Sequence, residues 1–403
     1  MLKRDSVLQY DVLAPLASSP PLRIVEAHGA ALKAEDGRTY VDMNEICVLL
    51  GQGNRRFMSA MRETLEHDIG KSTARKERLY QHIMETTEGK FSNIFLASSG
   101  SEAVEYAVRL ARKRTGRYEV VSFWNSVHGR TFLASSLSGL PVRKTGYGPL
   151  APGIVHTPYP YCYRCPFDQT PDICRFRCLE FLRQKVEAES SQDIAAVLIE
   201  PMQAAGIIIP PDGYLEALRR WTDEEGIELI FDEIQSALGR LGQMYQYQEI
   251  GIIPDMLVLG KGLGNGLHIA ALLIKGEVPL ENLCYMAGGS GDMPLGCAAA
   301  CAVYEELGAG QLLESANTVG AYLRQSLDSL CAKYPCIGDV RGRGLAFAVE
   351  FVKDRASKEH DFRLLEHVAA ELRSQGFLVG TWQSSITMRP PLSLTLAQAK
   401  DIS

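Results

Sequence analysis

Five short apolar runs constrain this chain most: Ile94–Ala97, Val120–Phe123, Ala196–Ile199, Ile227–Phe231 and Met256–Leu259. None of them alternates apolar with polar residues. An alternating strand turns one face to water, whereas a continuous run suits a strand buried on both faces of a parallel sheet. Helical patterns lie between the runs, at Glu102–Thr115 and Gly213–Glu225, giving the strand and helix alternation of an α/β domain with crossover helices. A large domain with a mostly parallel central sheet is expected over residues 51–307.

The flanking segments read differently. Val25–Asp42 carries the turn signal Glu35-Asp36-Gly37 and predicts a hairpin. Gly310–Lys333 predicts one long amphipathic helix, and Ile337–Val352 a strand punctuated by Gly342 and Gly344. Residues 1–50 and 308–403 are therefore expected to build a smaller α+β domain. A chain of 403 residues is long enough for two or three packed regions. Hydrophobic residues make up 46% and charged residues 22%, which excludes a disordered chain. The net charge of −6 gives no footprint for nucleic acid or an anionic membrane. With no apolar run approaching a membrane span, and none following Met1–Ser6, the expected location is the cytoplasm and the expected partner a small molecule.

Three strand ends carry the chemistry. Ser98-Ser99-Gly100-Ser101-Glu102-Ala103 joins a strand to a helix start, where free N–H groups and the helix dipole favour a phosphate. Such a serine is also an ordinary helix cap. Leu229-Ile230-Phe231-Asp232 ends a buried run on a carboxylate, a costly place for charge unless it serves a site. Leu257-Val258-Leu259-Gly260-Lys261 ends another run on a lysine. Ligands of open α/β sheets collect at the carboxyl ends of strands, so all three features converge on one crevice. Together they fit one cofactor, pyridoxal 5′-phosphate (PLP). The lysine forms an imine, the aspartate keeps a pyridine nitrogen protonated and the turn grips the phosphate. A nucleotide loop at Gly260–Gly266 is the rival reading, but neither the G-x-G-x-x-G register nor the P-loop spacing fits. A catalytically silent scaffold would need neither Lys261 nor Asp232.

Over nearly its whole length the chain resembles the class III aminotransferases. These are fold-type I PLP enzymes that include ornithine, 4-aminobutyrate and other ω-aminotransferases and dialkylglycine decarboxylase. The resemblance rests on Gly37–Asp42, Ser99–Ala103, His128–Thr131, Glu200–Gln203, Phe231–Gln235, Gly260-Lys261 and Asp339–Leu345. It implies that Lys261 is the Schiff-base lysine and that Asp232 pairs with the pyridinium. Gln235 would lie near the cofactor hydroxyl, Ser99, Gly100 and Ser101 at the phosphate, and Ile234 against the ring, with His128 and Glu200 also at the cofactor. A homodimer with shared sites is implied as well.

Four departures bear on the reaction. The aromatic ring expected before His128 is Val127, and the phosphate-binding threonine from the other subunit falls on Gly289, with Ser290 beside it. A glutamate and an arginine that pair in many members are Ala205 and Thr387. That arginine clamps a substrate carboxylate with a planar fork. Arg389, two residues on, shares a face with Thr387 in an extended segment and is the candidate replacement. The leading expectation is transfer of an amino group from a small amine or amino acid to an oxo acid. The alternative is a lyase acting on an aminophosphonate or amino-alcohol phosphate. Cys162, Cys165, Cys174 and Cys178 have a metal-like spacing but are expected to be thiols, with no metal assigned.

Overall fold

The computed structural model describes residues 22–402 except 69, 71, 72 and 279–290. Strands β1 (Ile24–His28), β2 (Ala31–Ala34) and β3 (Thr39–Asp42) form an antiparallel meander, where the sequence predicted a single hairpin. The extra reversal turns on Gly29, at φ +57°. One glycine inside an apolar stretch is a weak signal beside Glu35-Asp36-Gly37.

The central sheet has seven strands: β4 (Asn93–Ala97), β5 (Glu119–Phe123), β6 (Ile154–Thr157), β7 (Ile194–Ile199), β8 (Glu228–Asp232), β9 (Met256–Leu259) and β10 (Ala270–Ile274). Their order is β4-β10-β9-β8-β7-β5-β6. Pairs among β5 to β9 are parallel, and β10 runs antiparallel to both of its neighbours. The five expected strands are present, with β6 and β10 added. The continuous apolar runs have a direct cause. Val121, Val197, Leu229, Phe231, Leu257 and Leu259 join a core on one face, while Val120, Ala196, Leu198, Ile230, Met256 and Val258 join a second core on the other. Each of the buried leucines stabilises the fold by about 1.5–3 kcal/mol.

Helices cover both faces. Gly100–Thr115 buries Ala103, Val104, Ala107, Val108 and Ala111, whose spacing makes one stripe, and ends on Gly116 in a left-handed cap. Tyr214–Glu225 is capped by glycines at both ends. The helix expected at Gly310–Lys333 spans Gln311–Lys333, with Gly310 as its cap.

Beyond it, β11 (Ile337–Arg343) and β12 (Ala346–Phe351) form an antiparallel hairpin where one punctuated strand was expected. Gly344, at φ +55°, allows the turn; a Cβ there would stand 2.5 Å from the Leu241 carbonyl carbon. Then come β13 (Phe377–Leu378), β14 (Gly380–Trp382) and β15 (Ser385–Met388). β15 joins β12 and β14, whereas β13 pairs in parallel with β3 and so completes the N-terminal sheet. Arg240, 1% exposed, donates to the carbonyls of Glu45, Leu345 and Pro390. One side chain thus ties together the first strands, the central region and the last strands. No helix among the described residues is long and apolar enough to cross a membrane.

Candidate active site

β4, β5, β7, β8 and β9 all point the same way, and the residues after their carboxyl ends meet in one crevice. β8 delivers Asp232, 3% exposed. Its Oδ1 accepts from the Ile234 N–H at 3.1 Å, and its Oδ2 lies 2.8 Å from Nδ1 of the buried His128. β5 leads into Val127 and His128, whose backbone N–H groups donate to Glu200 Oε2 at 3.1 Å and Ser138 Oγ at 3.0 Å. β7 ends just before Glu200, which also accepts from the Ala204 N–H at 3.1 Å. Burial and the Asp232 carboxylate push Glu200 up to about 7, against the opposite pull of His128 and the two N–H bonds.

β9 delivers Lys261 on a 3₁₀ turn, with a left-handed φ of +45°. A non-glycine residue in that region marks a backbone held by its surroundings. Burial lowers the basicity of the amine, and Asp232, Glu200 and Cys47 counteract it while Arg389 adds to it. Among the described residues, charged side chains of both signs therefore face this lysine.

The Ser99–Ser101 turn joins the same crevice through Ile234. A Cβ on Gly100 would stand 2.6 Å from Ile234 Cδ1, and one on Gly260 would stand 3.5 Å from Ile234 Cγ1. Ile234, two residues after Asp232, therefore spans from the helix start to the residue before Lys261. Ser99 caps the helix by accepting from the Glu102 N–H at 3.3 Å. Ser101 Oγ accepts from the Arg130 N–H at 3.2 Å. The first N–H groups of any helix lack intrahelical partners, which leaves those of Gly100 and Ser101 for an anion.

These residues fit PLP. An amine of lowered basicity faces a carboxylate, a helix start lies within one side chain's reach of both, and His128 Nε2 is buried with no partner among the described residues.

The three positions expected on the substrate side also come together. Ala205 is 7% and Thr387 1% exposed, and Arg389, two residues after Thr387, reaches across to the segment of Ala205. Its Nη1 donates to the Ala204 carbonyl at 3.1 Å and to Gln235 Oε1 at 3.3 Å, its Nη2 to Thr387 Oγ1 at 3.2 Å. Arg389 is thus interior, at 9% exposure, and not a surface arginine. Gly289 and Ser290 lie outside the described residues. Among the described residues, Cys162, Cys165, Cys174 and Cys178 are free thiols and no group of three metal-type ligands forms. Burial pushes the Cys178 thiol up to about 12.

Some site residues escaped the sequence reading. Asn44 accepts from Arg389 Nη2 at 3.3 Å, and Cys47 faces Lys261. Both come from the N-terminal segment, where no local pattern signals a reach of that kind. Arg130 and Arg143 line a cavity of about 540 Å³ with Phe132 and Tyr147, and Arg143 faces Arg130 and Glu200. Arg130 stands next to the noticed His128-Gly129, the one signal that could have found it.

The profile described as aminotransferase class-III matches residues 13–403. The chain is 32% identical to a leucine/methionine racemase of Thermococcus litoralis, over 98% of this chain and 92% of the relative. It is also 32% identical to a diaminobutyrate–2-oxoglutarate aminotransferase of Rhizobium meliloti, over 95% and 86%. Its fold matches the crystal structure of an (S)-enantioselective ω-transaminase from Thermomicrobium roseum with a TM-score of 0.90 at 30% identity, over 100% of this chain and 97% of that one.

Proposed function

The chain belongs to the class-III aminotransferases and depends on pyridoxal phosphate, and from that premise we propose that it moves the amino group of a small amine or amino acid to an oxo acid. The observation that carries this reading is the meeting of Lys261, Asp232 and the Ser99–Ser101 turn around Ile234. Bound there, PLP supplies an electron-withdrawing ring that takes up the charge left when a substrate carbon loses its proton.

The chain's own residues do the rest. Lys261 would hold the cofactor and, when its amine is free, would carry a proton to and from the substrate carbon. Burial lowers the basicity of that amine, which favours its proton-accepting form. Asp232 faces the ring nitrogen, and the hydrogen bond with His128 fixes the carboxylate's orientation. Gly100 and Ser101 grip the phosphate with backbone N–H groups, and Val127 and Ile234 press on the ring. Gln235 donates to the ring oxygen. Glu200 holds the Val127 and Ala204 backbones to one another. The guanidinium groups of Arg130 and Arg143 suit a substrate that carries an anionic group.

The same reading includes a homodimer, in which Gly289 and Ser290 serve the partner's phosphate. Phe132, Val142 and Tyr147, all more than 60% exposed around the Arg143 cavity, supply an apolar face for it. It also includes the division into a large domain over residues 51–307 and a small domain from the two flanking segments, working in the cytoplasm.

A second reading has its own observation. With Ala205 and Thr387 in place of the carboxylate switch, a reaction that needs no oxo acid fits too: elimination from an aminophosphonate or amino-alcohol phosphate, or racemisation. Omitting the acceptor separates them. A transaminase converts its cofactor to the aminated form once per site and stops. Continuous release of ammonia or phosphate, or loss of optical activity, without any oxo acid rejects the leading reading.

A further inference from the structure

The Arg389 guanidinium has five N–H groups, and all five are directed at acceptors of this chain. Nε reaches Asn44 Oδ1 at 3.4 Å. Nη1 reaches the Ala204 carbonyl and Gln235 Oε1, and Nη2 reaches Thr387 Oγ1 and Asn44 Oδ1. Every acceptor is an uncharged oxygen. A bidentate grip on a carboxylate uses two parallel N–H groups of one edge. Arg389 has no such edge free, and gripping a substrate would mean giving up Asn44, Thr387 or Gln235.

The bond to Gln235 carries a second consequence. A primary amide has one acceptor end and one donor end, and which is which follows from the network. Because the guanidinium only donates, Gln235 Oε1 is the end that faces Arg389, and its NH₂ end is turned away. Arg389 also lacks a carboxylate partner among the described residues, where every acceptor it reaches is neutral. The charged and titratable groups around Lys261 are Asp232 from β8, Glu200 after β7, Cys47 from the N-terminal segment and Arg389 after β15. His128 stands behind Asp232, and Arg240 behind Arg389.

We propose that Arg389 is a positioning residue for the cofactor site and not a clamp for the substrate carboxylate: it locks the Gln235 amide with its NH₂ end toward the cofactor's ring oxygen and keeps a buried positive charge beside Lys261. This rests on the reading of Lys261 and Gln235 as cofactor contacts. A positive charge beside a protonated nitrogen destabilises it, and a donor on the ring oxygen draws off the electron density that would hold the proton. Both effects make the lysine–cofactor linkage lose its proton at lower pH. Burial itself also lowers the basicity of Arg389, to about 10, and the group stays charged at neutral pH.

The test follows the visible absorbance of the holoenzyme as pH is raised, for the wild type, Arg389→Met, Arg389→Lys, Gln235→Leu and the Arg389→Met/Gln235→Leu double variant. The midpoint moves up by about one pH unit in Arg389→Met. Arg389→Lys keeps the charge but loses the planar fork, so it moves the midpoint the same way by less; it also serves if the methionine variant folds poorly. In the Gln235→Leu background the Arg389→Met shift shrinks, because part of the effect runs through the amide. Turnover of amines with and without a carboxylate falls by the same factor. An unmoved midpoint in a cofactor-loaded Arg389→Met or Arg389→Lys protein overturns the proposal, as does a rise in KM confined to carboxylate-bearing substrates. Failure of the wild type to bind PLP would instead overturn the reading beneath it.

Discussion

Substituting Gly129 by alanine tests whether the turn at Ser101 is where the cofactor's phosphate is held. Gly129 follows His128 and has φ +149°, a conformation that costs a side-chain-bearing residue about 1–3 kcal/mol. An added Cβ would stand 2.4 Å from Ser101 Oγ, 2.8 Å from Ser101 Cβ and 2.7 Å from Ala134 Cβ. Overpacking of that kind costs about 1–3 kcal/mol more and is relieved most easily by moving Ser101, which starts a helix. If about 2 kcal/mol falls on the turn, PLP affinity drops about 30-fold. The assay is a titration of apo-protein with PLP, read by visible absorbance, beside a urea denaturation of the same sample. Gly116→Ala is the control: its φ of +70° imposes backbone strain, yet nothing lies within 4 Å of the added methyl. It should lower stability by about 1 kcal/mol and leave PLP affinity unchanged. Wild-type PLP affinity in Gly129→Ala would refute the placement of the phosphate against Ser101.

Other outcomes follow from the same geometry. Borohydride should abolish the visible band and fix the cofactor on Lys261, while Lys261→Ala still binds PLP but shows no turnover; peptide mapping and absorbance check both. Asp232→Asn keeps the shape and the bond from the Ile234 N–H but removes the negative charge, so exchange of the substrate α-proton, followed by NMR in heavy water, should slow by orders of magnitude, well beyond any loss of PLP affinity. Glu200, Glu228 and Glu233 are each pushed up to about 7, chiefly by burial. A carboxyl whose folded value is raised favours the fold below its unfolded value, near 4.3, and that contribution is lost as pH rises through about 7. The apo-protein should therefore lose stability between about pH 4.5 and 7, and Glu200→Gln should remove part of that slope; urea midpoints at the two ends of the window decide it, and an unchanged slope counts against the buried acid.

Legibility in the sequence followed how local each signal is. The β5, β7, β8 and β9 runs were readable because a strand buried on both faces has to be apolar throughout, and the two cores divide each run residue by residue. β6 was less visible because Ile154-Val155-His156-Thr157 mixes in polar residues, as a sheet-edge strand can. Lys261 and Asp232 stood out as charges at the ends of such runs. The meander at β1–β3 and the hairpin at β11–β12 were each underread because single glycines mark their reversals. Asn44, Cys47 and the true setting of Arg389 depend on contacts across hundreds of residues, and no spacing in the chain encodes which carbonyls a guanidinium will find.

Arg389 meets Asn44 across 345 residues, and Arg240 meets Glu45 across 195 and Pro390 across 150. Contacts of such span form late, since the chain between them must be ordered before its closure is rewarded. During synthesis the central strands can assemble with Lys261 and Asp232 already in the sheet, while the floor of the pocket waits for the segment around Pro390 to emerge. A half-made chain carries Lys261 and Asp232 without the Arg389–Asn44 and Arg240–Pro390 contacts that join the two ends of the sequence behind them.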